Sequence, residues 1–160
     1  VRAQAVGPER HGMPFPVDPI YIRAAEEKLG VRFPDAFVAS MTALNGGDIE
    51  VARDVWQLYP VLDRSDRKRL ARTCNDVCHE TAYLRDQWTG FPAGAVAIAG
   101  NGSGDQLVML PEPNDPSTLG ATLLVWDHET GALGNGAKDF GKVKRVGGNH
   151  QPRQSRRLPK

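Results

Sequence analysis

Apolar positions recur at helical spacing in the first half of this 160-residue chain and at strand spacing later on. Asp18-Pro19 predicts a helix start, with Asp as the N-cap and Pro in the first helical position. Ile22, Ala25 and Leu29 then share a face, and Gly30 stops the helix as a left-handed residue. Phe33-Pro34-Asp35 opens a second helix in the same way, with Phe37, Val38, Met41 and Leu44 as its stripe. Asn45-Gly46-Gly47 ends it, because these residues accept positive φ cheaply. From 49 to 61, Val51, Val55, Trp56, Leu58, Tyr59 and Val61 predict a strand pair or one bent strand, bending near Arg53-Asp54. A charged run, Asp63 to Arg69, reads as a solvated loop or helix start. A longer helical stripe follows at Leu70, Cys74, Val77, Cys78, Thr81, Leu84 and Trp88, and Thr89-Gly90-Phe91-Pro92 breaks it. That stripe places both cysteines and Trp88 on the core face of one helix.

The period then changes. Ala95 to Ala99 and Gln106 to Leu110 are short apolar runs around a glycine-rich turn, Gly100 to Asp105, which is a hairpin signature. Pro111 to Thr118 reads as a loop. Ala121 to Trp126 reads as a third strand, closed by the turn Asp127 to Gly131. Helices, a strand pair, a helix and a strand meander predict an α+β fold, a mainly antiparallel sheet packed against helices in a single domain, with no βαβ repeat. The expected boundaries are an N-terminal arm over 1–17, the domain over 18–140 and a basic, disordered tail over 141–160.

Composition narrows the function classes. Apolar residues make up 40% and charged residues 24%, ordinary values for a globular chain. No run approaches the roughly 18 apolar residues that span a bilayer, and Val1 to Met13 lacks the apolar core of a signal peptide. Two cysteines, Cys74 and Cys78, cannot build a disulfide framework, so a reducing cytoplasm is the expected home. The net charge of +1 is uneven: the seven cations of residues 141–160 leave −6 on residues 1–140. An acidic body speeds association with basic partners, and the same charge also serves plain solubility.

Catalytic and metal chemistry find little support. Gly100 to Asp105 lacks the Lys and Ser/Thr of a phosphate-binding P-loop and leads into a strand, so it reads as a structural turn with Asp105 bonded to backbone N–H groups of its own loop. Three residues lie between Cys74 and Cys78 where haem attachment needs two, and no second cysteine pair completes a zinc site. Neither a metal nor another cofactor is expected. Asp127-His128-Glu129 has no accompanying nucleophile, and neighbours on a strand face opposite ways, so His128 is not expected to share a face with both acids. The basic tail invites phosphate contacts but lacks the aromatics of a stacking platform, so nucleic acid is a minor expectation.

Four motifs, taken in order, resemble the Smi/Knr-like group of the SUKH superfamily. They are Glu26-Glu27-Lys28-Leu29-Gly30 with Phe33-Pro34-Asp35; Asn45-Gly46-Gly47; Ile98 to Asp105; and Val125 to Glu129 with Asp139-Phe140 after it. The motif positions Gly30, Pro34, Asn45, Gly46, Gly47, Gly100, Gly104, Asp105 and Trp126 are read as structural. The chain departs from the group in Phe33, where Leu is usual, and in a glycine-rich basic stretch where a terminal helix usually follows Asp-Phe. The resemblance implies an α+β fold without a common catalytic site. It implies a non-enzymatic bacterial immunity protein that binds a cognate toxin domain, often a nuclease or deaminase, inside the producing cell. The alternative it leaves open is a regulatory scaffold like the fungal relatives of cell-wall signalling. Candidate contacts to a basic toxin are the acids near strand ends and turns: Asp48, Glu50, Asp105, Asp127 and Glu129.

Overall fold

The computed structural model describes residues 14–147. Its helices are α1 (Pro19–Leu29), α2 (Asp35–Ala43), α3 (Arg67–Arg72) and α4 (Val77–Gln87). Its strands are β1 (Gly47–Val51), β2 (Asp54–Leu58), β3 (Val96–Gly100), β4 (Gln106–Met109), β5 (Pro111–Glu112), β6 (Asp115–Leu119), β7 (Leu123–Trp126), β8 (Leu133–Ala137) and β9 (Lys144–Arg145). Seven strands form one sheet in the order β8-β7-β4-β3-β2-β1-β9, antiparallel at every pairing, and β5 and β6 form a separate hairpin. The meander expected from the glycine-rich turns is therefore present, and the fold is α+β with helices against an antiparallel sheet.

The first helices follow their sequence signals. Asp18 Oδ1 accepts from Ile20 N at 3.0 Å, satisfying one of the free donors of the first turn of α1. Gly30 ends the helix with φ 73°. Glu26 then reaches forward, its Oε2 accepting from Phe33 N at 2.8 Å, and fixes the link to α2. In α2 Pro34 is the N-cap, not the first helical residue, and Asp35 sits in the first turn where its charge suits the helix dipole. Phe37 and Met41 are fully buried, and the Phe37 ring meets Phe33 and Phe140 at centroid distances of 4.6 and 5.3 Å. The Asn45-Gly46-Gly47 motif does more than end α2. Asn45 is buried and pairs twice with the backbone of Val61, donating to its carbonyl at 2.8 Å and accepting from its N–H at 2.7 Å.

The single helix expected between Leu70 and Trp88 is two helices. Asp76 interrupts it by capping α4, its Oδ1 accepting from Cys78 N and His79 N at 2.9 and 3.1 Å. Cys74 therefore lies exposed between the helices and Cys78 buried within α4, where burial first and then the nearby Asp76 carboxylate push its thiol up to about 11. Leu70 is exposed as well, because α3 buries no residue.

Alternate residues of β3 and β4 enter two different cores. Val96, Ile98, Leu107 and Met109 join the main cluster with Ile22, Phe37 and Met41 of α1 and α2. Ala97 and Val108 face a smaller cluster with Leu84 of α4, Phe91 and Trp126. A bulge between Ala97 and Ala99 lets Ile98 and Ala99 both serve the main core. Strand β2 pairs with β1 along its length but with β3 only at that strand's end, at Ala99 and Gly100. Upstream, α4 stands in, and the Ala97 N–H donates to Thr81 Oγ1 at 3.0 Å.

Three further elements were not expected. The loop read over 111–118 is the β5–β6 hairpin, tied to the α1–α2 link where Arg32 N donates to Ser117 O and Leu119 N to Arg32 O. Strand β8 follows the turn after β7. A single 3-10 turn, Phe140–Lys142, leads into β9 beside β1. Arg145 there donates to the carbonyls of Ser40, Leu44 and Gly46 and to Ser40 Oγ. Of the expected arm, Pro14 to Val17 are described: Val17 is in the main core, and the Phe15 ring lies 5.0 and 4.5 Å from the Arg69 and Arg72 guanidinium groups. The folded unit thus includes residues on both sides of 18–140. The rest of the expected arm and tail, 1–13 and 148–160, lies outside the described residues.

Candidate functional site at the turn end of the sheet

The register brings three turns to one end of the sheet. Strands β1 and β2 meet at Ala52-Arg53, β3 and β4 at residues 101–105, and β7 and β8 at 127–132. Because β2, β3, β4 and β7 alternate in direction, these turns sit side by side. Asp54, Asp105, Asp127 and Glu129 gather there.

Asp105 is bonded across the turns, not within its own loop alone. Its Oδ1 accepts from His128 N at 3.2 Å and lies 2.7 Å from His128 Nδ1. Gly104, at φ 108°, allows this approach: a Cβ there would lie 2.9 Å from the His128 ring. Partial burial acts to raise the Asp105 carboxyl, but hydrogen bonds from the His128 ring and backbone outweigh it and hold the group below its ordinary value. His128 is raised, first by the Asp105 hydrogen bond and further by the charges of Asp105, Glu129 and Asp127. Both shifts favour imidazolium facing carboxylate.

Asp127 caps its own turn, accepting from Glu129 N at 2.8 Å and Thr130 N at 3.3 Å. On the neighbouring side Asn101 Nδ2 donates to Asp54 Oδ2 at 3.1 Å. Asp105, Asp127 and His128 offer ligand atoms within 4.8 Å of one another. His128 thus lies beside Asp127, and Glu129 is not among the three groups. A cation at this point would have to displace the His128–Asp105 hydrogen bond, and the three groups are one short of a closed four-ligand zinc site.

Trp88 was expected in the core and is not. It caps the C-terminus of α4, is 37% exposed, and packs edge-on against Trp126 at 5.8 Å and His128 at 6.0 Å. Trp126 is the buried member of the pair, with Nε1 donating to Gly90 O at 3.2 Å. A half-exposed tryptophan backed by rigid aromatics and flanked by acids is the composition of a protein-contact anchor.

The five acids singled out by sequence are divided by the structure. Asp105, Asp127 and Glu129 come together. Asp48 and Glu50 alternate with buried Ile49 and Val51 and so lie on the outer face of β1, where Glu50 stands opposite Lys144 of β9. Sequence reasoning missed Asp54 and Trp88 as members of the site.

A family model, the SMI1 / KNR4 family (SUKH-1), matches residues 16–143. The match covers well over half of the chain and includes every turn of the site. The chain belongs to the SMI1 / KNR4 family (SUKH-1). SUKH domains bind partner proteins, and the family is generally non-catalytic. No curated protein and no solved structure matches the chain in the same comparisons. Among the described residues no helix is long and apolar enough to cross a membrane.

Proposed function

We propose that this SUKH-1 protein is a cytoplasmic immunity protein of bacterial type, which neutralises a cognate toxin domain by direct binding through the turn end of its sheet. The observation that carries this reading is the gathering of Asp54, Asp105, Asp127 and Glu129 at one end of the sheet, where half-exposed Trp88 packs against the His128 ring. Trp88 would fill a pocket on the toxin, and the acids would meet the Lys and Arg side chains with which a nuclease or deaminase holds nucleic acid. Partner steering by the acids predicts association that slows as salt rises. Asp105 and Asp127 also shape the turns, so Glu129 and Trp88 are the cleaner probes. Co-expression with a toxin domain encoded beside this gene, followed by pull-down and a protection assay, tests the reading. Trp88→Ala and Glu129→Lys should each weaken the complex at least tenfold while the fold survives. Binding and protection unchanged by both substitutions would refute the placement, and absence of any complex would refute the function.

A further inference from the structure

A cavity of about 430 Å³ opens at the margin of the sheet, where the β1–β2 turn, the end of β8 and residues 142–144 come together. Its floor is apolar, formed by Val51, Ala137 and Val143, all part of or packed on the main core. Its rim carries four cations, Arg53, Lys138, Lys142 and Lys144, and two acids, Glu50 and Asp139. Asp139 accepts from Gly141 N at 2.8 Å, and Glu50 stands opposite Lys144 across the β1–β9 pairing. A positive excess is left around a concave, apolar-floored surface, on a chain whose residues 1–140 carry −6.

A second feature converges on the same place. Arg53 reaches the cavity from a two-residue turn in which Ala52 and Arg53 both hold positive φ, at 51° and 62°. Such turns ordinarily take Asn-Gly or Asp-Gly, and a Cβ at either position makes the left-handed conformation costly. The fold alone would be better served by glycine. Strain kept at one point of a molecule is a mark of a functional site.

We propose that this cavity binds a phosphate-bearing small molecule, with its phosphate on Arg53, Lys138, Lys142 and Lys144 and its organic body on the apolar floor. A guanidinium fork beside several ammonium groups suits a multiply charged, many-oxygened anion better than a single carboxylate. The volume falls in the range of small-molecule sites, about 300–1,000 Å³. The inference does not depend on toxin binding, although the cavity shares the β1–β2 turn with the acidic end, where Arg53 adjoins Asp54.

Calorimetric titration of the full chain at low ionic strength, with ADP and with inorganic pyrophosphate as probes, tests it. Both should bind saturably at one site, with pyrophosphate weaker because it leaves the floor uncovered. Lys138→Gln with Lys142→Gln should weaken ADP at least tenfold, and the corresponding Glu double variant should weaken it further. Two turn variants separate charge from strain. Ala52→Gly should raise Tm and leave affinity unchanged, whereas Arg53→Gly should raise Tm and weaken binding. Absence of saturable binding at millimolar probe overturns the proposal, as does affinity indifferent to the double Gln variant. An equal loss on Lys28→Glu, on α1 away from the cavity, would also overturn it, since the effect would then be one of overall charge.

Discussion

The contacts that cap α1 and fix its link to α2 are short in sequence: Asp18 caps two residues on, and Glu26 reaches Phe33 seven residues on. At the turn end of the sheet the contacts that join one turn to the next are long. Asp105 meets His128 across 23 residues, and Asn101 meets Asp54 across 47. The helical region also holds the large buried side chains, Ile22, Phe37 and Met41, whereas Glu129 and half of Trp88 face solvent. Apolar burial and satisfied buried polar groups carry most of the folding free energy, and exposed charges carry little. The molecule therefore keeps its stability and its candidate contact surface in separate places, so the surface can vary with little harm to the fold.

That division is open to attack from the stable side first. Phe37→Ala should cost about 3–5 kcal/mol in chemical denaturation, because it empties the meeting point of α2, Phe33 and Phe140. Asn45→Ala should cost about 2–3 kcal/mol by leaving the Val61 N–H and carbonyl without their partner. Asp18→Ala removes one N-cap bond and should cost about 1 kcal/mol. At the other end, Asp105→Asn should leave the denaturation midpoint nearly unchanged but lower the His128 pKa, followed by NMR of its ring protons. The sign follows from the two shifts. The raised His128 contributes fully below its ordinary value near 6.5, and its contribution fades as pH rises through the higher folded value. The lowered Asp105 contributes above the ordinary carboxylate range and is lost as pH falls through its lower folded value. Both groups are solvated, so the consequence for stability is small, and an equally large stability loss from Asp105→Asn and Asn45→Ala would remove the contrast.

The same contrast governs what the sequence discloses. Helix caps at Asp18 and Gly30, the positive-φ glycines after α2, and the apolar runs of β3, β4 and β7 act locally, so their residues announce them. Strand β8, Leu-Gly-Asn-Gly-Ala, has no strand propensity and exists because β7 offers it a partner. Strand β9 is two residues long and is held by Arg145 reaching across to α2. The split between α3 and α4 was hidden by a helical period running through Asp76, although Asn75-Asp76 is a capping signal in its own right. Trp88 was misplaced by the same period. Of the site, Asp105, Asp127 and Glu129 were visible, but not Asp54, nor the register that gathers three of the five and leaves Asp48 and Glu50 elsewhere.

The glycine at 47 has Pro14 on one side and the Arg145 guanidinium on the other, both within 3.4 Å of where a Cβ would stand. The incoming and outgoing ends of the described residues thus converge on a single residue. A circularly permuted protein becomes accessible: residue 147 joined to residue 14 by a short flexible spacer, and the backbone opened at exposed Pro113-Asn114 between β5 and β6. Such a rearranged chain would present both of its new ends on the small hairpin, leaving the acidic turns and the basic cavity intact for attachment of a reporter.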